Sequence, residues 1–228
     1  MHYAPALSNQ LSVRQFYGPG VRRIFIGIFN NILLATSEAR PRNFLICAAN
    51  PGEGGTTVAL GLALAAAEVQ DQPVLLIDGN FAHPQVCAAF DVPELYGFGD
   101  LLAGRIGAKS AVQATGVPQL MVMGAGVAPI NHVGLLESPA CKNLLACLNQ
   151  DYATIIIDGP AVNTFPESVL YAAQVDRVFL VVKAGCTRVQ VVSTALAKLA
   201  AIGCESDRID LILNRRTFPI PPWIYRRL

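Results

Sequence analysis

Lysine is scarce in this 228-residue chain, occurring only at Lys109, Lys142, Lys183 and Lys198. Charged residues of both signs make up 14% of the chain, and the formal net charge is +1. No long-range field draws in a polyanion, so no nucleic-acid partner is expected. Histidine is limited to His2, His83 and His132. The cysteines (Cys47, Cys87, Cys141, Cys147, Cys186 and Cys204) form no Cys-x-x-Cys pair. A metal site made of these two residue types is therefore not expected, and the cysteines read as small buried hydrophobes. Long apolar runs are missing too: the richest stretches, 24–35 and 58–67, fall short of the about 18 residues that a membrane-spanning helix needs. Residues 1–9 have neither the basic nor the apolar region of a signal peptide. Together these absences point to the cytoplasm.

What the chain has in abundance is aliphatic sequence, arranged in repeated units. Apolar residues make up 53%. Residues 1–20 read as a flexible arm with little periodicity, 21–214 as one α/β domain and 215–228 as a tail. Within the domain, 21–35 has a helical stripe of Ile24, Ile28 and Ile32, with Phe25 and Phe29 beside it. Short aliphatic runs at 44–49, 74–77, 120–123, 154–157, 177–182 and 209–213 predict strands. Helical segments are predicted over 56–69, 99–103, 109–114, 138–149, 167–173 and 190–202, with Ser138 as N-cap and Pro139 at the first helical position. Strands alternating with helices imply a three-layer α/β domain: a mostly parallel central sheet flanked by helices on both faces. Ligands of such sheets bind beyond the carboxyl ends of the strands. Asp78, Asp158 and Asn214 each stand at such an end.

Between the first strand and the next helix lies Asn50-Pro51-Gly52-Glu53-Gly54-Gly55-Thr56-Thr57. A glycine-rich strand-to-helix turn lets successive backbone N–H groups converge on an anion at a helix N-terminus. Candidate phosphate-binding residues are therefore Gly52, Glu53, Gly54, Gly55, Thr56 and Thr57, although Glu53 has no evident task. Thr56 or Thr57 offers a hydroxyl for Mg²⁺, and Asp78 and Asp158 offer carboxylates at strand ends to hold that cation or position a water. By itself the segment fits a plain tight turn equally well; the two strand-end carboxylates favour a nucleotide-type pocket.

These motifs, in this order, resemble the cytoplasmic domain of bacterial tyrosine kinases of capsular and exopolysaccharide systems. More broadly they resemble the ParA/MinD P-loop ATPases. The resemblance runs from about residue 21 to Asn214. It rests on Pro51–Thr57 against a family loop P-G-E-G-K-S-T, on 75–84 against L-L-I-D-x-D-x-R-x-P, and on 156–161 against I-I-D-x-P-P. Glu167 stands where the family has Asp, Asp176 is retained, and 99–104 and 131–139 resemble connecting segments. The resemblance implies a P-loop fold, ATP or ADP with Mg²⁺ as ligand, and Asn214 as a contact to the base. It also implies partners: a membrane-associated polysaccharide chain-length or export protein, or a homologous subunit that includes a homodimer. Through such a partner the chain would sit peripherally at the inner membrane.

The departures carry as much information. Gly55 replaces the loop lysine, Asn50 stands where ParA/MinD loops have a second lysine, and Asn80 and Ala82 replace the second Asp and the Arg of the acidic motif. Phosphoryl transfer depends on neutralising developing charge, and Gly55 supplies none. If the site is active, Asp78 and Asp158 are its catalytic candidates. Arg14, Arg22, Arg23 and Arg188, or a partner's arginine, are candidate substitutes for the lost charge. Three functions follow from the resemblance: a catalytically impaired regulator or scaffold, a weak or partner-activated Mg-ATP-binding ATPase or kinase, and a ParA/MinD-like positioning protein. In the first helix, Arg23, Ile26 and Phe29 occupy the places of the kinases' intersubunit Glu, Arg and Arg, so that face either packs on its own sheet or forms an interface. The tail offers Tyr225 in place of several tyrosines. Its Arg215, Arg216, Arg226 and Arg227 read as a solvated cluster or a contact for an acidic partner or lipid headgroups, and Pro219, Pro221 and Pro222 break any amphipathic helix there.

Overall fold

A computed structural model describes residues 13–35 and 43–215. The chain runs through α1 (Val13–Phe16), α2 (Pro19–Ala35), β1 (Asn43–Ala48), α3 (Gly55–Val69), β2 (Val74–Asp78), α4 (Val86–Ala89), α5 (Phe98–Leu102) and α6 (Ala108–Ala111). It continues through β3 (Val112–Ala114), β4 (Leu120–Met123), α7 (His132–Glu137), α8 (Pro139–Leu148), β5 (Thr154–Asp158), α9 (Glu167–Ala172), β6 (Arg177–Lys183), α10 (Val189–Ala200) and β7 (Ile209–Asn214). The strands form one seven-stranded sheet in the order β3-β4-β2-β5-β1-β6-β7, parallel throughout except for β3. This is the expected three-layer architecture.

The aliphatic runs form strands because both faces of the sheet are covered. Phe44 and Ile46 of β1 point into a core shared with α2 and α3, while Leu45 and Cys47 point into one shared with α5, α7, α8, α9 and α10. The same alternation recurs in β2, β5 and β6, so the interior positions of the central strands are apolar although successive side chains face opposite ways, and polar residues stand only at their ends. Parallel strands need helical crossovers, and these bring the C-terminal ends of β1, β2 and β5 to one rim.

The first helix packs on its own domain. Phe25, Phe29 and Ile32 are buried and Ile26 is packed against the same core, whereas Arg23 is exposed. Gly61 on α3 makes room for this contact: a Cβ there would lie 2.4 Å from the Phe25 ring. Burying these side chains contributes about 1.5–3 kcal/mol each.

Two local expectations differ from the structure. The segment 109–114 is not one helix: α6 ends at Ala111 and Val112–Ala114 pairs antiparallel with β4. Thr115 closes that turn, donating to the carbonyl of Leu120 at 2.8 Å, and a three-residue strand is too short to carry a period. The arm expected over 1–20 is helical at Val13–Phe16 and again from Pro19, with Val13 buried; residues 1–12 lie outside the described residues. As expected, Ser138 is the N-cap of α8 with Pro139 at N1; its hydroxyl donates backwards to the carbonyl of Leu135 at 2.7 Å. Asp176 anchors the start of β1 by accepting the N–H of Asn43 at 2.9 Å. Among the described residues no helix is long and apolar enough to cross a membrane. Arg216, Arg226, Arg227 and Tyr225 lie outside the described residues.

Candidate functional site: a phosphate loop without its cation

The loop after β1 turns through two glycines in the left-handed region, Gly52 at φ 80° and Gly54 at φ 96°. Gly54 has a second reason to lack a side chain. A Cβ there would lie 2.2 Å from the side-chain nitrogen of Asn214. That nitrogen donates to the carbonyl of Glu53 at 2.8 Å, while Oδ1 of Asn214 accepts the N–H of Arg215 at 2.8 Å. The residue expected to meet a base thus serves the loop backbone.

Glu53 gains the task that sequence reasoning did not find for it. Its side chain is buried; Oε2 accepts the N–H of Asn50 at 2.9 Å and Oε1 accepts the hydroxyl of Thr187 at 2.6 Å. The first bond closes the loop on itself, a reach of three residues that the sequence contains. The second crosses 134 positions to the turn after β6, and nothing local singles out Thr187.

The two strand-end carboxylates do come together. Asp78 and Asp158 are register partners on adjacent parallel strands, and both are buried. Their surroundings differ. Oδ1 of Asp78 accepts the N–H of Asn80 at 3.1 Å, and Oδ2 accepts those of Gln85 at 2.7 Å and Val86 at 2.9 Å. Burial nevertheless pushes Asp78 up to about 6, with those three donors opposing it and Glu94 adding a little. Asp158 is held well above the usual carboxylate range by burial and then by the charge of Asp78, opposed by a hydrogen bond from Thr56. Its Oδ1 has no partner among the described residues. Asp78 therefore ionises first, because three N–H groups favour its anion, and Asp158 keeps its proton longer. Asn80 turns the chain after β2, its Oδ1 accepting the N–H of His83 at 3.2 Å. Glu167 meets Nε2 of His132 at 3.0 Å.

A cavity of about 500 Å³ opens over the loop. Its walls include Pro51, Gly52, Gly54, Gly55, Thr56, Thr57, Asn80, His83 and Arg215. The volume falls in the range of small-ligand sites. Glu53, Asp78, Asp158 and Asn214 stand behind this surface rather than on it. The expected arginine substitutes are elsewhere among the described residues. Arg22 pairs with Glu68, Arg23 is exposed on α2, and Arg188 is the N-cap of α10. The side chain of Arg14 lies outside the described residues. Arg215, placed by sequence in the tail cluster, is the cation on the cavity wall.

No protein-family model matches the chain. It is 31% identical to the tyrosine-protein kinase YwqD of Bacillus subtilis (strain 168) over 187 residues, which cover 82% of this chain and 78% of that protein. The chain belongs to the bacterial tyrosine-kinase family of P-loop ATPase domains. Several solved structures superpose closely. The VpsO kinase domain matches with a TM-score of 0.74 and 32% identity, covering 87% of this chain and 98% of that one. The chimerical protein CapA2B2 matches with a TM-score of 0.78 and 28% identity, covering 89% and 88%. The MinD protein of Pyrococcus horikoshii OT3 shares the fold, with a TM-score of 0.63 and 22% identity over 82% of this chain and 76% of that one.

Proposed function

We propose that this member of the bacterial tyrosine-kinase family is catalytically impaired and works by binding, as a regulator or scaffold in exopolysaccharide or capsule biosynthesis or export. The observation that supports this is the absence of cationic charge on the loop itself. Gly55 occupies the lysine position at the head of α3, and the glycine is buried against β1. A lost contact of this kind costs the transition state about 3 kcal/mol, or roughly 10²-fold in rate. Asn80, spent on the turn to His83, supplies no carboxylate base. The partner that the family resemblance implies is a membrane-associated chain-length or export protein, or a homologous subunit.

The residues present fit a magnesium nucleotide better than they fit catalysis. Gly52, Gly54, Gly55 and Thr56 line the cavity, Thr56 also bonds Asp158 behind it, and Asp158 has an oxygen without a partner among the described residues. Thr56 and Asp158 are the residues that would hold a hydrated Mg²⁺; Asp78 is committed to three backbone donors. When bound, the cation supplies positive charge to the phosphates and favours the anion of Asp158. The test is ATP hydrolysis and tyrosine phosphorylation by the purified chain, alone and with a co-purified partner. Turnover near the background rate in the isolated chain is expected, and brisk turnover by the isolated chain would end this reading.

A further inference from the structure

We propose that Arg215, which lines the cavity just after β7, is the cationic ligand of the phosphate cradle and stands in for the lysine missing at position 55. The proposal rests on the reading of the cavity as a polyphosphate site and adds the residue that makes anion binding there affordable. Arg215 lines the same cavity as Gly52, Gly54, Gly55 and Thr56. It follows β7 directly, and its backbone is fixed to the loop: its N–H donates to Asn214, whose amide donates to Glu53. Its φ of 55° lies in the left-handed region, which non-glycine residues seldom adopt, and turns the chain at the cavity mouth.

Charge is what the site needs. Asp78 and Asp158 lie side by side behind Thr56, so an arriving polyphosphate meets ionisable carboxyls beneath the loop. Among the described residues the Arg215 guanidinium has no carboxylate partner, whereas Arg22, Arg105 and Arg177 are paired with Glu68, Asp100 and Asp210. A second observation points to a ligand at the same place. Asp158 is 1% exposed, its Oδ1 has no hydrogen-bond partner, and it meets the hydroxyl of Thr56 on the cavity wall. A hydrated divalent cation travelling with the anion satisfies that oxygen, and a guanidinium takes the remaining phosphate charge through paired N–H donors. The ligand class is a nucleoside diphosphate or triphosphate with Mg²⁺, bound without efficient cleavage because the loop itself carries no cation and Asn80 supplies no carboxylate.

The experiment is calorimetric titration of the full chain with Mg-ADP and with AMP, comparing wild type with Arg215→Asn and Arg215→Lys. Asparagine is the neutral choice because it tolerates the left-handed backbone. The expected result is about tenfold weaker Mg-ADP binding in Arg215→Asn, partial recovery in Arg215→Lys and little change for AMP, with unchanged melting temperatures. Wild-type affinity should also fall more steeply with salt than that of the neutral variant. Equal Mg-ADP affinity in all three proteins overturns the assignment, as does equal loss for AMP and ADP, which would place the side chain on the base, sugar or α-phosphate that both share rather than on the phosphates the missing lysine would meet. No binding by wild type at millimolar Mg-ADP overturns it too. Brisk ATP turnover with the Arg215 dependence intact would instead remove the impaired-enzyme reading and leave this one standing.

Discussion

The hydroxyl of Thr187 donates a 2.6 Å hydrogen bond to Oε1 of Glu53, tying the phosphate loop to the turn that follows β6. With Oε2 holding the N–H of Asn50, one buried carboxylate fixes the loop at both ends. Glu53→Ala leaves a buried N–H and a hydroxyl unsatisfied, so a loss of about 1–3 kcal/mol is expected in urea unfolding, and Thr187→Val should lose about 1 kcal/mol. The double variant should be less destabilised than the sum of the two. Strict additivity would mean that the bond contributes nothing in solution.

The paired carboxyls predict an unusual pH profile. Asp78 is raised from 3.8 to about 6, and Asp158 is raised further in the same direction. Between about pH 4 and 6 the folded protein binds more protons than the unfolded chain, so this pair makes stability fall as pH rises through that window. Asp158 extends the fall to higher pH. Asp158→Asn mimics the protonated acid. It should unfold at higher temperature than wild type at pH 7.5 in EDTA and match it near pH 4.5, while Asp78, raised by its own burial, stays above its ordinary range. A variant with the same slope as wild type over pH 4.5–7.5 would show that the two groups do not share the proton in this way.

These sites show how far the sequence reaches. The seven-stranded sheet was readable except for β3, because strands buried on both faces advertise themselves as unbroken aliphatic runs and a three-residue edge strand does not. The loop and the pairing of Asp78 with Asp158 were readable because a motif and two strand ends define them. The parts that escaped depend on contacts across the fold. Glu53 meets Thr187, and Asn214 meets the carbonyl of Glu53 rather than facing the cavity. Arg215 looks like tail sequence until β7 delivers it to the cavity. Ile26 and Phe29 of the first helix fitted either packing or an interface until α3 was seen beneath them.

Gly54 is the position where the loop tolerates least. An alanine there must hold φ near 96° and displace the Asn214 amide, which sits 2.2 Å from the new methyl. Loss of the Asn214 bond to Glu53 adds to the backbone strain, and a cost of about 2–4 kcal/mol is expected. Thermal unfolding of Gly54→Ala should show a fall of several degrees. Combining it with Asn214→Ala should relieve part of that cost, because the clash disappears. A double variant as unstable as the sum of its parts would argue that backbone strain alone is responsible.

Restoring the loop cation tests the electrostatic reading most directly. Gly55 opens α3 outside the left-handed region, and a Cβ there would lie 3.3 Å from the N of Ala48 and 3.6 Å from its Cβ. A shift of a few tenths of an ångström in β1 or the loop accommodates it, and removing a glycine from a helix recovers up to about 1 kcal/mol. Gly55→Lys should therefore fold and bind Mg-ATP more tightly. Turnover should rise little, because Asn80 still provides no carboxylate. Adding Asn80→Asp should raise hydrolysis by about 10²-fold, the scale of one well-placed charge contact. In this restored background Arg215→Asn should cost less affinity than it does in the native loop, since the phosphates then have a nearer cation. If the double variant hydrolyses ATP no faster than the native chain while binding it well, missing charge is not what impairs this site.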